Sequence, residues 1–140
     1  MQIKFFFTDI KITLKERTRL KLFIASIFSK ETKTLNSINY IFCSDEYLLT
    51  INRQYLKHDY YTDIITFDLS ASKESIDAEV YISVDRVKEN AAIEGQSFNK
   101  ELHRVIFHGA LHLCGYKDKS KSDILKMRRA EERYLRIYFN

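Results

Sequence analysis

Proline is absent from this chain of 140 residues, and glycine occurs only three times. This composition excludes collagen-like and linker-rich chains and favours long helices and strands. Tryptophan is absent too, but ten Phe, nine Tyr and 45% apolar residues overall are enough for one buried core. No run approaches the roughly 20 apolar residues of a membrane-spanning helix. We therefore expect one globular domain over residues 1–140, with no membrane partner.

Cysteine is also scarce. Cys43 and Cys114 are too few for a disulfide framework or a thiolate zinc cage, which favours a reducing compartment. Thr8 and Asp9 interrupt the N-terminal aromatic run, so this end lacks the apolar stretch of a secretory signal. We expect a cytoplasmic protein.

The net charge is +4, and the excess of positive charge lies in the last segment. Residues 117–140 contain eight Lys or Arg and four Asp or Glu, whereas the preceding residues are balanced. A basic terminal helix can bind a polyanion, although a solvated helix face is the simpler interpretation.

Alternating and helical periodicities predict an α+β fold, with a small mixed β-sheet of about four strands covered by about five helices. The expected strands cover 3–7, 37–43, 63–69 and 79–84, and the last two form a hairpin. The expected helices cover 14–28, 45–56 and 97–113, the last of these opened by Ser97 as N-cap. A short helix capped by Asp85 ends at Gly95, and a last helix begins near Ser120 or Ser122. In the last helix we expect Ile124, Met127, Tyr134 and Tyr138 to face inward.

His108 and His112 are the most informative pair of residues. Their i, i+4 spacing on the long helix lets two imidazoles converge on one metal ion. Asp118 follows the expected turn at Gly115 and can return its carboxylate to the same ion, leaving an open position for water as in catalytic sites. Two histidines at this spacing also occur as ordinary buried or capping residues. The sequence thus predicts a metal site on a long helix and the following loop.

Gly109 lies inside the apolar stripe of the same helix. A helical glycine costs about 1 kcal/mol relative to alanine, so a close approach by another element is expected there. Zinc proteases place Glu directly after the first His of such a pair, and Gly109 stands at that position. A peptidase of that kind is disfavoured.

The segment 108–118, HGALHLCGYKD, resembles the H-G-x-L-H-L-x-G-Y-D-H signature of the YbeY family of bacterial endoribonucleases, the rRNA maturation factors. Residues 51–67 resemble the family block L-N-x-x-Y-R-x-x-D-x-P-T-D-V-L-S-F, and residues 78–83 stand where the family has its G-D-I strand. The resemblance covers nearly the whole chain. It implies a cytoplasmic α+β protein that binds a metal ion, usually taken as zinc. It also implies hydrolytic cleavage of single-stranded RNA in maturation of the 3′ end of small-subunit rRNA, with the ribosome as partner and no DNA.

Two residues depart from the family pattern. Asp118 replaces the third family histidine, so the predicted metal ligands and catalytic residues are His108, His112 and Asp118. Leu56 stands where the family has an arginine thought to bind the RNA phosphate. Zinc remains the first choice, although a carboxylate is a harder ligand than imidazole and suits manganese or iron better than a third histidine would.

Such an ion would lower the pKa of a bound water and polarise a phosphoryl oxygen. The candidate phosphate-binding residues are Arg53, Lys57, Arg128 and Arg129, and Tyr60, Tyr61 and Tyr116 could stack on unpaired bases. The general base cannot be assigned between Asp63 and Glu79. Two other classes stay open: a non-catalytic, metal-containing RNA-binding factor for ribosome assembly, and an iron oxygenase with two imidazoles and a carboxylate.

Overall fold

A four-stranded mixed sheet lies at the centre of the structure, a computed structural model that describes residues 2–140. The strands are β1 (Gln2–Phe7), β2 (Leu35–Cys43), β3 (Ile64–Asp68) and β4 (Ile76–Ser83). The α-helices are α1 (Arg17–Lys30), α2 (Asp45–Ile51), α3 (Val84–Glu94), α4 (Phe98–Leu113) and α5 (Lys121–Tyr138). This arrangement confirms the predicted α+β fold with four strands and five helices.

The strand order in the sheet is β1-β2-β4-β3. β1, β2 and β4 are parallel neighbours, and β3 runs antiparallel to β4, with Ile64 opposite Ile82 and Asp68 opposite Ala78. The β3–β4 hairpin is therefore confirmed. It places the start of β3 beside the end of β4, at the edge of the sheet next to α4.

The two faces of the sheet pack against different helices. Alternate residues of β2 and β4, among them Tyr40 and Val80, face the large core shared with α1, α4 and α5. The opposite face is covered near Cys43 and Ile65 by Leu48 and other apolar residues of α2.

Helix α4 is the central helix, because it contacts α1, α3, α5, β3 and β4. Ser97 caps it by accepting a hydrogen bond from the Lys100 backbone N–H, as predicted. Gly109 lies against the sheet, where a Cβ would come 3.1 Å from methyl groups of both Ile64 and Val80. This is the close approach that the helical glycine indicated.

Several predicted boundaries differ from the structure. α1 begins at Arg17 rather than at residue 14, and the helix expected over 45–56 ends at Ile51 and continues as a π-helical turn over Asn52–Leu56. The predicted cap Asp85 is wrong. Ser83 caps α3 by accepting from the Arg86 N–H, and the Asp85 carboxylate accepts from the Asp45 N–H instead.

Helix α5 begins after Ser120, whose side chain forms a reciprocal capping box with Asp123. Met127, Tyr134 and Tyr138 are buried as predicted, but Ile124 is 46% exposed, so its inward assignment is wrong. The first turn of α5 extends past the core and borders an open cleft. Between residues 2 and 140, no helix is both long and apolar enough to cross a membrane.

Candidate active site

A cleft of about 360 Å³ opens between α4, α5 and the start of β3. It brings together side chains from four separate parts of the sequence. The residues that line it are Thr62, Asp63, Ile64, Arg104, Val105, His108, Asp118, Ile124, Met127, Arg128 and Glu131. Two of the three predicted metal ligands, His108 and Asp118, therefore line one cleft.

His108 is oriented by hydrogen bonding on one side of its ring. Its side chain is 19% exposed, and its Nδ1 lies 2.6 Å from Oε2 of Glu131, a carboxylate only 1% exposed. Its Nε2 lies 3.7 Å from Oδ2 of Asp118. Because a carboxylate only accepts hydrogen bonds, Nδ1 is the nitrogen that donates to Glu131, and Nε2 is the nitrogen that faces Asp118 and the cleft.

His112 lies one turn further along α4 and is exposed. Its Nδ1 is 3.1 Å from the backbone carbonyl oxygen of Tyr116, so it donates to that carbonyl and leaves Nε2 free. The Tyr116 N–H in turn donates to the Leu111 carbonyl and fixes the loop after α4. His112 does not line the cleft that contains His108.

The donor types present fit a zinc ion, since two imidazole nitrogens and one carboxylate are normal zinc ligands. Both imidazoles also have Nδ1 bound to a protein oxygen, the arrangement typical of metal-ligating histidines. Within the described chain, however, no three His, Cys, Asp or Glu side chains are grouped closely enough to hold an ion. Only the His108–Asp118 part of the predicted ligand set is brought together.

A buried ion network lies behind His108. Arg104 forms ion pairs with Glu101 at 2.7 Å and with Glu131 at 3.0 Å, and both carboxylates are 1% exposed. Burial alone would raise the pKa of Glu131, but the hydrogen bond from His108 and the charge of Arg104 hold it below its ordinary value. Burial would lower the pKa of Arg104, but the hydrogen bond to Glu101 and the charge of Glu131 hold it above its usual range.

The structure separates the two carboxylates that the sequence left open as general base. Asp63 lines the cleft, accepts from the Asn90 amide at 3.4 Å and lies 4.0 Å from Arg104. Glu79 does not line the cleft, and its carboxylate accepts a hydrogen bond from the Tyr81 hydroxyl. Of the two, only Asp63 is near His108.

The predicted phosphate-binding residues are spread over the surface. Arg128 lines the cleft, 46% exposed and 3.5 Å from Glu94, whereas Arg129 is exposed outside it. Arg53 is exposed and forms an ion pair with Asp59. Lys57 is exposed at the end of the π-helical turn, and neither it nor Arg53 lines the cleft.

The predicted stacking residues also differ in position. Tyr60 is 56% exposed and stacks on His58, and Tyr61 is 46% exposed with its hydroxyl donating to Glu46. Tyr116 is partly buried and packs against the main core. Cys114 is buried, and burial raises its thiol pKa to about 12, as expected for a small core residue.

Sequence reasoning did not find Glu131, Arg104 or Glu101. A signal was present, because Glu131 lies four residues after Met127 and three before Tyr134, on the inward face of α5. An acidic residue on an apolar stripe indicates a buried partner, and here that partner is the pair His108 and Arg104.

The fold and the cleft define a small α+β protein with a helix-borne histidine and several acidic side chains at one opening, the kind of polar site used for hydrolytic chemistry. The solution structure of TM1509 from Thermotoga maritima is similar, with a TM-score of 0.65 and 26% identity over 98% of this chain and 89% of that one. Endoribonuclease YbeY of Cytophaga hutchinsonii is 47% identical, covering 96% of this chain and 94% of the relative. The same protein from Porphyromonas gingivalis is 45% identical, covering 96% and 88%.

The family model described as Endoribonuclease YbeY matches residues 3–138. The chain therefore belongs to the YbeY family of endoribonucleases, which are hydrolases that act on RNA. This confirms the resemblance predicted from the histidine segment, and it leaves the iron oxygenase interpretation without support.

Proposed function

We propose that this chain is a metal-dependent endoribonuclease that cleaves single-stranded RNA in rRNA maturation, with His108, His112 and Asp118 as metal ligands. The observation that carries the proposal is the state of His108, whose Nδ1 is held by buried Glu131 while Nε2 approaches Asp118 at 3.7 Å. The hydrogen bond from His112 Nδ1 to the Tyr116 carbonyl supports metal binding through Nε2 of His112 in the same way.

When bound, a divalent ion, zinc by preference, would supply an acidified water and polarise a phosphoryl oxygen. His108 and His112 would each bind it through Nε2, and Asp118 through its carboxylate. Arg128 at the mouth of the cleft would attract the RNA phosphate. Asp63, which lines the cleft 4.0 Å from Arg104, would accept a proton.

We propose rRNA and the ribosome as partners and the cytoplasm as the location, with no DNA or membrane partner. The basic surface of α5 supports contact with an RNA backbone, because the positive excess of the chain is concentrated after residue 116. Arg53 and Lys57 would contact RNA beyond the cleft.

Substitutions of Asp118 test the ligand set. Asp118→Ala should lose bound zinc and chelator-sensitive cleavage of a short single-stranded RNA, whereas Asp118→His should keep both. Glu132→Ala, which removes an exposed carboxylate of α5 that does not line the cleft, is the control. Full zinc content and full cleavage in Asp118→Ala would remove Asp118 from the site.

A charge reversal tests the RNA contact. Arg128→Glu combined with Arg129→Glu should weaken RNA binding and flatten its dependence on salt. The matched control is Lys11→Glu with Lys15→Glu, which makes the same change in net charge at two exposed residues that do not line the cleft. Equal weakening by both pairs would show that only net charge matters.

The second candidate is a non-catalytic RNA-binding factor for ribosome assembly. Leu56 favours it, because this 39% exposed apolar side chain stands at the family arginine position. This candidate predicts RNA binding without any cleavage that a chelator abolishes, and the same short RNA distinguishes the two functions.

A further inference from the structure

The two oxygens of the Glu131 carboxylate have different partners. Oε2 accepts from His108 Nδ1 at 2.6 Å. Oε1 accepts from Arg104 Nη1 at 3.0 Å and lies 3.7 Å from Arg128. The carboxylate is 1% exposed, so its hydrogen bonds are made to these protein groups rather than exchanged with bulk water.

We propose that Glu131 is a positioning residue, which holds His108 as the Nδ1–H tautomer so that the Nε2 lone pair faces Asp118 and the cleft. Free histidine can place its single proton on either nitrogen, and the hydrogen bond at one nitrogen decides the form. Arg104 supports this role by binding Oε1, the carboxylate oxygen that His108 does not use.

The arginine makes Glu131 hard to replace even by its amide. An arginine side chain has only donors, so the single oxygen of a glutamine at position 131 must turn toward Arg104. The glutamine NH₂ group then faces His108 Nδ1. This nitrogen can accept a hydrogen bond from the NH₂ group only if the imidazole proton is on Nε2 instead. Glu131→Gln therefore preserves the shape of the side chain but reverses the tautomer.

The inference rests on the proposed function for its purpose, because only a metal ligand or a general base needs a free Nε2. The tautomer itself can be observed without metal. Long-range ¹H–¹⁵N NMR of metal-free protein, at about pH 8.5 where an ordinary imidazole is neutral, distinguishes the two tautomers.

In the wild type we expect His108 to be the Nδ1–H tautomer, and in Glu131→Gln the Nε2–H tautomer. Glu132→Gln, at the exposed next position, is the matched control and should leave His108 unchanged. An Nε2–H or doubly protonated His108 in the wild type would overturn the proposal even if Glu131→Gln did not fold. An unchanged tautomer in a folded Glu131→Gln protein would also overturn it.

Zinc affinity, measured by competition with a chromophoric chelator, is the second readout. Loss of such a supporting hydrogen bond typically weakens metal binding 10–100-fold, and we expect that loss in Glu131→Gln but not in Glu132→Gln. Equal affinities in wild type and Glu131→Gln would refute the positioning role. Absence of zinc binding by the wild type would refute the proposed metal site, while the tautomer measurement would still decide the assignment of Glu131.

Discussion

Arg104 forms ion pairs with two fully buried carboxylates, and its replacement by Met is the most informative perturbation of the core beside the cleft. The arginine side chain is 14% exposed and contacts Glu101 and Glu131 at 2.7 and 3.0 Å. Methionine preserves much of the apolar stem but leaves both acids without the arginine charge.

Removing one member of a buried ion pair costs about 3–5 kcal/mol, because a charge is left buried and uncompensated. Against a typical total of about 5–15 kcal/mol, Arg104→Met should lose a large fraction of its stability. The melting temperature should fall by roughly 10 °C, taking about 2–4 °C per kcal/mol for a domain of this size. Urea unfolding followed by circular dichroism at pH 7 measures the loss.

The loss should also depend on pH. In the wild type the pKa of Glu131 is lowered from 4.5, so its ionisation contributes stability that is present above that value and is lost as the pH falls through the folded pKa. Without Arg104, burial opposes ionisation and we expect the folded pKa of Glu131 to rise. The stability difference between wild type and Arg104→Met should then shrink between pH 7 and pH 4.

The control is Arg128→Met. Arg128 is 46% exposed and 3.7 Å from Glu131, so it should cost less than about 1 kcal/mol. If Arg104→Met destabilises the protein no more than Arg128→Met, or if its deficit is the same at pH 4 as at pH 7, the buried network does not have the electrostatic role argued from its geometry.

Three further outcomes are expected. Gly109→Leu should lower the free energy of unfolding by about 1–3 kcal/mol or more, because even a Cβ would meet Ile64 at 3.1 Å. A urea-unfolding midpoint equal to that of the wild type would contradict this packing. Ser120→Ala should cost about 1 kcal/mol through loss of the capping box, seen as a lower melting temperature, and no change would mean that α5 does not need this cap. Cys43 and Cys114 should resist iodoacetamide at pH 8 in the folded protein and react in urea, because burial raises both thiol pKa values to about 12. Rapid labelling without urea would show that the two thiols are accessible.

Local sequence signals determined most of the fold. Alternation predicted the strands, and the β-rich runs on either side of a polar loop predicted the β3–β4 hairpin. Ser97 marked the start of α4, and Ser120, one of the two serines considered, marked that of α5. Such caps can be recognised in the sequence because an N-cap satisfies backbone donors within three residues and needs no tertiary partner. The spacing of His108 and His112, with the segment around them, was enough to predict the family.

Only the tertiary structure decided which side chains share the cleft. Asp63 lies just before β3, Arg104 on α4 and Glu131 on α5. Residue spacing along the sequence does not reveal that α5 packs beside α4 with Glu131 facing His108. A charged residue on a helix is normally solvated, so its burial depends on a partner from elsewhere in the chain. The sequence by itself therefore identified the histidines, and the packing of α5 on α4 determined which nitrogen of His108 faces the cleft.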